Sequence, residues 1–225
     1  MPARLALLRL LHLSSPALPI GAFHFSQGLE YAVHAGWVSD EGTALDWIEG
    51  LAANALGTLD LPILARLYRC LARRDFDGFE RWNALLIALR ESEELRAEDR
   101  HLGAALMKIL GDLQVCEAVP VPSPGRALGH AAAFSLACQH WGIPEAHALQ
   151  AYAWVWAEGQ ATAAVKLVPL GQSAGQRVLH ALIPKLEALC RRAASMPDDA
   201  IGTSAVMQSV ASARHERQYT RLFRS

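Results

Sequence analysis

The chain lacks the motifs that would mark a nucleotide, metal or cofactor site. It has no glycine-rich loop of the G-x-x-x-x-G-K-[ST] or G-x-G-x-x-G type, so phosphate has no evident cradle. None of its nine histidines lies three or four residues from another, the spacing that places two metal ligands on one helical face. We therefore expect no bound nucleotide, no metal site and no cofactor in this chain.

Paired cysteines are also missing. The four cysteines are far apart in the sequence and form no C-x-x-C motif; they are Cys70, Cys116, Cys138 and Cys190. This pattern is typical of buried free thiols in a reducing compartment. The sequence therefore predicts a cytoplasmic protein.

No apolar run approaches the 18 or so residues that a membrane-spanning helix needs, so we expect no membrane association. The first 22 residues, MPARLALLRLLHLSSPALPIGA, share a basic start and a leucine-rich run with secretory signals. However, Arg9 and His12 interrupt the apolar run, whereas a signal needs about 7–15 apolar residues in a row. The leucine spacing favours an amphipathic helix over a signal.

Charge is scarce and balanced. Charged residues make up 19% of the chain, and 21 basic residues face 22 acidic ones, for a net charge of −1. A near-neutral chain is a poor match for nucleic acid or an anionic membrane, so neither is expected as a partner. Hydrophobic residues make up 52%, which excludes a disordered chain and leaves apolar surface for a protein partner.

The apolar residues repeat with a period near 3.6 almost everywhere and with a period of two almost nowhere. We therefore predict an all-α fold: an irregular bundle of about ten helices in a single domain, residues 1–225. Helices are expected near 4–14, 26–35, 126–141 and 172–192, after the caps Ser39 or Asp40, Asp60, Asp75 and Ser92, from Pro144 to just before Pro169, and from Thr203 or Ser204 towards 215. The proline-rich VPVPSPG, 119–125, is expected to be extended, as a connector or a domain boundary.

One string imitates a catalytic motif. Residues 171–175, GQSAG, match G-x-S-x-G, and Ser173 is followed by Asp198 or Asp199 and then by His215, as in a serine hydrolase. That motif needs a strand before the serine, and the preceding ATAAVKLVPL has helical character. A hydrolase using Ser173 is the alternative function, and substantial strand content would support it.

The last ten residues, 216–225, combine arginines with the apolar side chains of Tyr219, Leu222 and Phe223. Arginine binds carboxylates in bidentate fashion, and the apolar side chains can anchor in a pocket. We interpret 216–225 as a C-terminal docking tail that a partner orders; packing on its own domain and nucleic-acid binding are the alternatives.

Tyr152, Trp154 and Trp156 are two residues apart along one predicted helix. Side chains at this spacing diverge, so at least one of them should face away from the core. This pattern indicates either a core helix with one exposed aromatic residue or a protein–protein contact.

Several segments resemble the family of urease accessory proteins called UreF. They are SSPALPIGAFHFSQGLEYAVHAGWV at 14–38, DLPILARLY at 60–68, RESEELRAEDRHLGAAL at 90–106, AVKLVPLGQSAGQ at 164–176 and SARHERQYTRLFRS at 212–225. The resemblance covers essentially the whole chain in order.

The resemblance implies a non-enzymatic, all-helical, cytoplasmic and dimeric maturation factor. Such a protein joins a UreD/UreH-like accessory protein and a UreG-like GTPase on the urease apoprotein. There, GTP hydrolysis is coupled to nickel insertion, and the UreF member bridges the two partners and gates the GTPase.

The resemblance also implies roles for individual residues. Lys166 is similar to a family lysine tied to control of the GTPase, although a cation is also favoured at the end of a helix. Partner-binding or gating residues are expected to be Phe25, Glu30, Lys166, Gln172, His215, Tyr219, Arg221, Leu222, Phe223 and Arg224. Gln150 and Trp154 are expected at a homodimer interface.

Overall fold

The chain is helical throughout the part that the structure describes. In this computed structural model, residues 3–115 and 127–225 are described, and they contain ten α-helices and no β-strand. The helices are α1 (Ala3–Leu13), α2 (Leu29–His34), α3 (Glu41–Leu51), α4 (Leu61–Arg73), α5 (Phe76–Ala88), α6 (Glu93–Asp112), α7 (His130–His140), α8 (Glu145–Leu167), α9 (Gln172–Ser195) and α10 (Val206–His215). The all-α prediction is confirmed. The segment 119–125 lies outside the described residues, as does Cys116.

Three of the predicted helix caps are confirmed. Asp40 accepts a hydrogen bond from the backbone N–H of Thr43, Asp75 from Gly78 and Ser92 from Leu95. Each side chain satisfies one of the backbone donors that the first turn of a helix leaves without a partner. These caps fix where α3, α5 and α6 begin.

The fourth predicted cap, Asp60, is wrong. A π-helical segment, Ala52–Asp60, continues from α3 directly into α4, so the chain forms one unbroken helix from Glu41 to Arg73. Pro62 is tolerated in it as the second residue of α4. Asp60 has no capping bond; its carboxylate instead accepts hydrogen bonds from Arg90, just beyond α5.

The same unbroken helix is the one candidate for a membrane span among the described residues, judged by length and composition alone. Its most apolar stretch is 72% buried by the other helices. A core helix passes the same test, and burial of this extent is what a core helix shows.

Two central helices are buried on most sides. All of His130–Cys138 in α7 is buried, and α8 presents buried alanines along its length, including Ala148, Ala157 and Ala164. Small side chains let neighbouring helices approach α8 closely, and α9 packs along it. Cys70, Cys138 and Cys190 are buried free thiols, and burial raises the pKa of the Cys190 thiol to about 12.

The C-terminal segment is packed on the same chain. Phe223 belongs to the same hydrophobic cluster as Ala6 in α1 and Leu182 in α9. Within the structure, residues 216–225 are held by contacts with the rest of the chain. These contacts place the tail beside the loop that precedes α2.

Candidate functional site

Residues 24–30, Glu94, Glu98 and 215–225 form a connected set of contacts that we call the tail clasp. Its backbone part joins the tail to the loop before α2. The Ser26 N–H donates to the Ser225 carbonyl at 2.9 Å, and the Arg224 N–H donates to the His24 carbonyl at 2.8 Å. Segments almost 200 residues apart are thereby held side by side.

Glu30 is the centre of the tail clasp. It lies in the first turn of α2 and is 7% exposed. Its carboxylate accepts hydrogen bonds from the backbone N–H groups of Leu222 at 2.7 Å and Phe223 at 2.8 Å, and it lies 3.0 Å from Nε2 of His215. One buried carboxylate therefore binds both the tail backbone and the end of α10.

His215 lies between two carboxylates. Its Nε2 faces Glu30, its Nδ1 lies 2.8 Å from the nearer carboxylate oxygen of Glu94, and its side chain is fully buried. An imidazole with both nitrogens facing acceptors binds them best when both nitrogens carry protons. Burial is the largest single influence and lowers the pKa of His215, but the two carboxylates together outweigh it and raise the pKa above its ordinary value. Arg221 also donates to Glu94, at 3.1 Å.

Lys166 joins the last turn of α8 to the tail clasp. Its ammonium nitrogen lies 5.7 Å from the ring centre of buried Phe223 and 5.7 Å from that of exposed Phe23. These distances fit cation–π contacts, which contribute about 0.5–1 kcal/mol at exposed sites. The lysine is itself exposed, so it remains available to a partner.

The end of the tail is bound by a chain of polar side chains. Ser225 Oγ donates to Glu98 at 3.0 Å, Gln27 donates to the other oxygen of Glu98 at 2.8 Å, and Trp156 donates to Gln27 at 2.8 Å. Burial raises the pKa of Glu98 to about 7, and the hydrogen bonds from Gln27 and Ser225 lower it by less. This chain connects α8, α6 and the tail.

The structure brings together most of the residues predicted from the sequence. Those in contact within the tail clasp or directly against it are Phe25, Glu30, Lys166, His215, Arg221, Leu222, Phe223 and Arg224. Tyr219 is fully exposed and Leu222 is 68% exposed, whereas His215, Phe25 and Phe223 are buried. Gln172 is exposed in the first turn of α9 and takes no part in the contacts described above.

Three residues of the tail clasp were not predicted from the sequence: Gln27, Glu94 and Glu98. The helix dipole is enough to explain an acidic residue in the first turn of α6, so the sequence gives no sign that Glu94 has another role. Its partner His215 is 121 residues away, so no local pattern connects them. The positive φ of Gln27, 54°, also has no signature in the sequence.

The predicted dimer residues border a surface groove between α1 and α8. Gln150 is exposed and Trp154 is half-buried, and the groove, about 600 Å³, also contains Leu7 and Leu11 of α1. Leu7 and Leu11 are 58% and 59% exposed. The groove is therefore lined by apolar side chains that the chain itself does not cover.

The hydrolase alternative is wrong. Ser173 lies exposed in the first turn of α9, and the described residues before it form α8 and a short loop rather than a strand. His215 is engaged by Glu30 and Glu94, while Asp198 binds Arg66. The three residues of the imitated motif therefore form no triad.

Among the described residues, no group of three or more His, Cys, Asp and Glu side chains is arranged to hold a metal ion. The tail clasp is built instead from charge-assisted hydrogen bonds and one aromatic anchor. An arrangement of this kind orders a segment and presents its exposed side chains.

The chain is similar in sequence to proteins of one known family. A sequence model of the UreF family matches residues 38–183. The chain is 44% identical to the urease accessory protein UreF of Teredinibacter turnerae over 220 residues, 97% of this chain and 98% of the relative. It is also 44% identical to the urease accessory protein UreF of Pseudomonas putida strain W619 over the full length of both chains. A similar protein of the same name from Hahella chejuensis is 42% identical over 222 residues, 98% of this chain and 99% of the relative.

Proposed function

We propose a specific role for this chain on the premise that it belongs to the UreF family of urease accessory proteins, which are non-enzymatic. The chain acts in urease maturation as a cytoplasmic scaffold. It bridges a UreD/UreH-like accessory protein and a UreG-like GTPase, and it gates the GTP-dependent insertion of nickel into the urease apoprotein. Nickel is cargo in this proposal and is not a resident cofactor of the chain.

The observation that carries the proposal is the tail clasp. It holds the tail on a fixed backbone while leaving Tyr219 and Leu222 exposed. Exposed aromatic and aliphatic side chains on an ordered backbone bind a partner without the entropy cost of ordering a flexible segment. We assign Tyr219, Leu222 and Arg224 to contact with the UreD/UreH-like protein.

The buried members of the predicted set have a different role. Glu30, His215 and Phe223 are buried in the protein, so they position the exposed residues. Phe25 is also buried, and its ring lies 5.8 Å from that of His101 on α6. Together these residues determine where the docking side chains point.

Lys166 and Gln172 are the residues we assign to the GTPase. Both are exposed, and they border the short connection between α8 and α9. Lys166 also contacts Phe223 of the tail. A partner that binds the tail and shifts Phe223 would therefore also shift Lys166 at this connection. This contact supports a gating role, in which one partner alters the surface offered to the other.

The chain is also proposed to form a homodimer through the groove between α1 and α8. Apolar side chains of α1 and the half-buried Trp154 offer a surface that a second copy can cover by two-fold symmetry. The near-neutral net charge of −1 places little electrostatic repulsion between two copies.

Co-purification with a UreD/UreH-like and a UreG-like protein tests the bridging role. The double variant Tyr219→Ala, Leu222→Asp should fold normally, because both side chains are exposed, and should lose the UreD/UreH-like partner. Removal of 216–225 should lose it as well. The control is Ile183→Asp, which changes an exposed apolar residue of α9 and should bind as the wild type does. Normal binding by the double variant or the truncated chain would disprove the docking role.

A further inference from the structure

A cluster of buried charges lies beneath the tail clasp, outside the contacts assigned to partners. Arg90 donates to both carboxylate oxygens of Asp60, and Asp99 accepts the backbone N–H of His130 at 3.0 Å. Asp60 and Asp99 are 6% and 3% exposed. Burial lowers the pKa of His130 to about 4, so this imidazole is neutral at pH 7. Two carboxylates and one guanidinium therefore share a largely water-excluded interior.

These residues line a cavity of about 70 Å³. The wall also includes Gln160 and Tyr152 of α8 and Glu98 of the tail clasp. The wall also has apolar residues, among them Leu56 and Leu102, and the polar residues Gln27 and Gln208. The cavity therefore extends from the charge cluster to the carboxyl group that binds Ser225.

Three residues of this wall each have one buried polar atom with no hydrogen-bond partner among the described residues. These atoms are the N–H donor Nε of Arg90 and the acceptors Oδ2 of Asp99 and Oε1 of Gln160. A buried polar group left unpaired costs about 1–3 kcal/mol, more if it is charged. Three such atoms around one small cavity point to an occupant that can pair with them.

The mixture of donor and acceptors determines what that occupant can be. A cation would pair with Asp99 and Gln160 but would be repelled by Arg90. An anion would pair with Arg90 and be repelled by Asp99, and an apolar molecule would pair with none of them. Water both donates and accepts, and a polar cavity holds it when two to four partners are within reach.

We propose that this cavity is a binding site for ordered water, occupied by a cluster of about two molecules that hydrogen-bonds Arg90, Asp99 and Gln160. The number follows from about 30 Å³ per molecule of liquid water. The cluster solvates the buried ions and reaches Glu98, so the floor of the tail clasp is hydrated. The site does not depend on any partner of the chain.

A high-resolution crystal structure of the full chain tests the site directly. We expect discrete density peaks in the cavity within hydrogen-bond distance of Asp99 Oδ2, Gln160 Oε1 and Arg90 Nε. Crystals soaked separately in thallium(I) and in bromide should show no anomalous peak there. An empty cavity, or an anomalous peak from either ion, would overturn the proposal.

The melting temperature of Gln160→Leu provides a second test, in which the sign of the change decides. If water pairs with Gln160, the nearly isosteric leucine removes a satisfied hydrogen bond and lowers the melting temperature. If the cavity is dry, the same change removes an unpaired acceptor and raises the melting temperature. Gln176→Leu, at an exposed position of α9, is the control and should change it little. A rise specific to Gln160→Leu contradicts the proposal.

Discussion

At the scale of single residues, the tail clasp depends on a proton. His215 is fully buried between Glu30 and Glu94, and both contacts are strongest when the imidazole carries a charge. Loss of that proton would leave a ring nitrogen lone pair facing a carboxylate. Closure of the tail is therefore linked to the protonation of one histidine.

The first prediction concerns pH. The pKa of His215 is raised in the folded chain above its ordinary value of 6.5, so its stabilising contribution is complete below about pH 6.5 and is lost as pH rises through the folded pKa. In His215→Gln, the free energy of unfolding should be lower in acid and should fall less as pH rises. Urea unfolding at a series of pH values measures this.

His180→Gln is the matched control, because His180 is exposed on α9. Its pH profile should follow that of the wild type. If His215→Gln gives the same slope as the wild type above pH 6.5, the imidazole is not charged in the folded chain.

Sequence reasoning identified much of the site at this scale, but it misjudged the exposure of the residues. Phe25, Glu30, Lys166 and His215 were all selected, and the structure brings them to one place. They were selected as contacts for partners, yet His215 and Glu30 are buried by their own chain. Burial of a tail residue depends on what folds back onto it, which local patterns do not contain.

At the scale of elements, α2 and α10 meet at a glycine. Gly28, just before α2, has φ of +88°, and a Cβ there would lie 3.0 Å from Ala211 Cβ and 3.2 Å from Ser212 N of α10. Any side chain would thus combine an unfavourable backbone conformation with unusually tight contacts against α10. The approach of α10 in turn places His215 beside Glu30.

The second prediction separates these two effects. Gly28→Ala should destabilise the chain by about 1–3 kcal/mol and increase protease cleavage within 216–225, because the tight contact with α10 loosens the packing of α10 on α2. Gly36→Ala is the control: its φ is +74°, but a Cβ there meets nothing within 4 Å. Gly36→Ala should lower the free energy of unfolding only by the cost of the strained backbone. Protease cleavage within 216–225 should stay as in the wild type. Equal tail cleavage in the two variants would show that the close approach is unimportant.

Helix boundaries were predictable where a side chain caps the helix and unpredictable where two helices fuse. Asp40, Asp75 and Ser92 were identified because each has a local partner three residues away. Asp60 has the same residue type beside a proline, but its partner Arg90 comes from another part of the chain. The sequence could not distinguish a cap from a buried ion pair.

At the scale of the whole molecule, the chain keeps apolar surface uncovered. Leu7, Leu8 and Leu11 on α1 are each more than half exposed, next to the groove that contains Trp154. The fold class followed from the 3.6-residue period, because helices can bury such faces only against each other. Which face stays uncovered did not follow, since the order of packing is set by all the helices together.

The third prediction tests that surface. Trp154→Glu should convert the proposed homodimer into monomers, because a carboxylate would be buried without a partner in the interface. Light scattering should then report half the mass of the wild type. Ile183→Glu, on an exposed position of α9, should leave the mass unchanged. If Trp154→Glu keeps the mass of the wild type, the face of α8 that contains Trp154 is not part of the interface.

The hydrogen bond between Ser26 and Ser225 joins an early segment of the chain to a late one, so it can form only late in synthesis. During translation, the loop around residue 26 leaves the ribosome long before residue 225 does. Until then the loop has no tail segment to bind. A chain cut short by premature termination would never provide that segment. Closure of the clasp therefore cannot precede synthesis of residue 225, and a partner that requires the closed form would bind only chains that contain this segment.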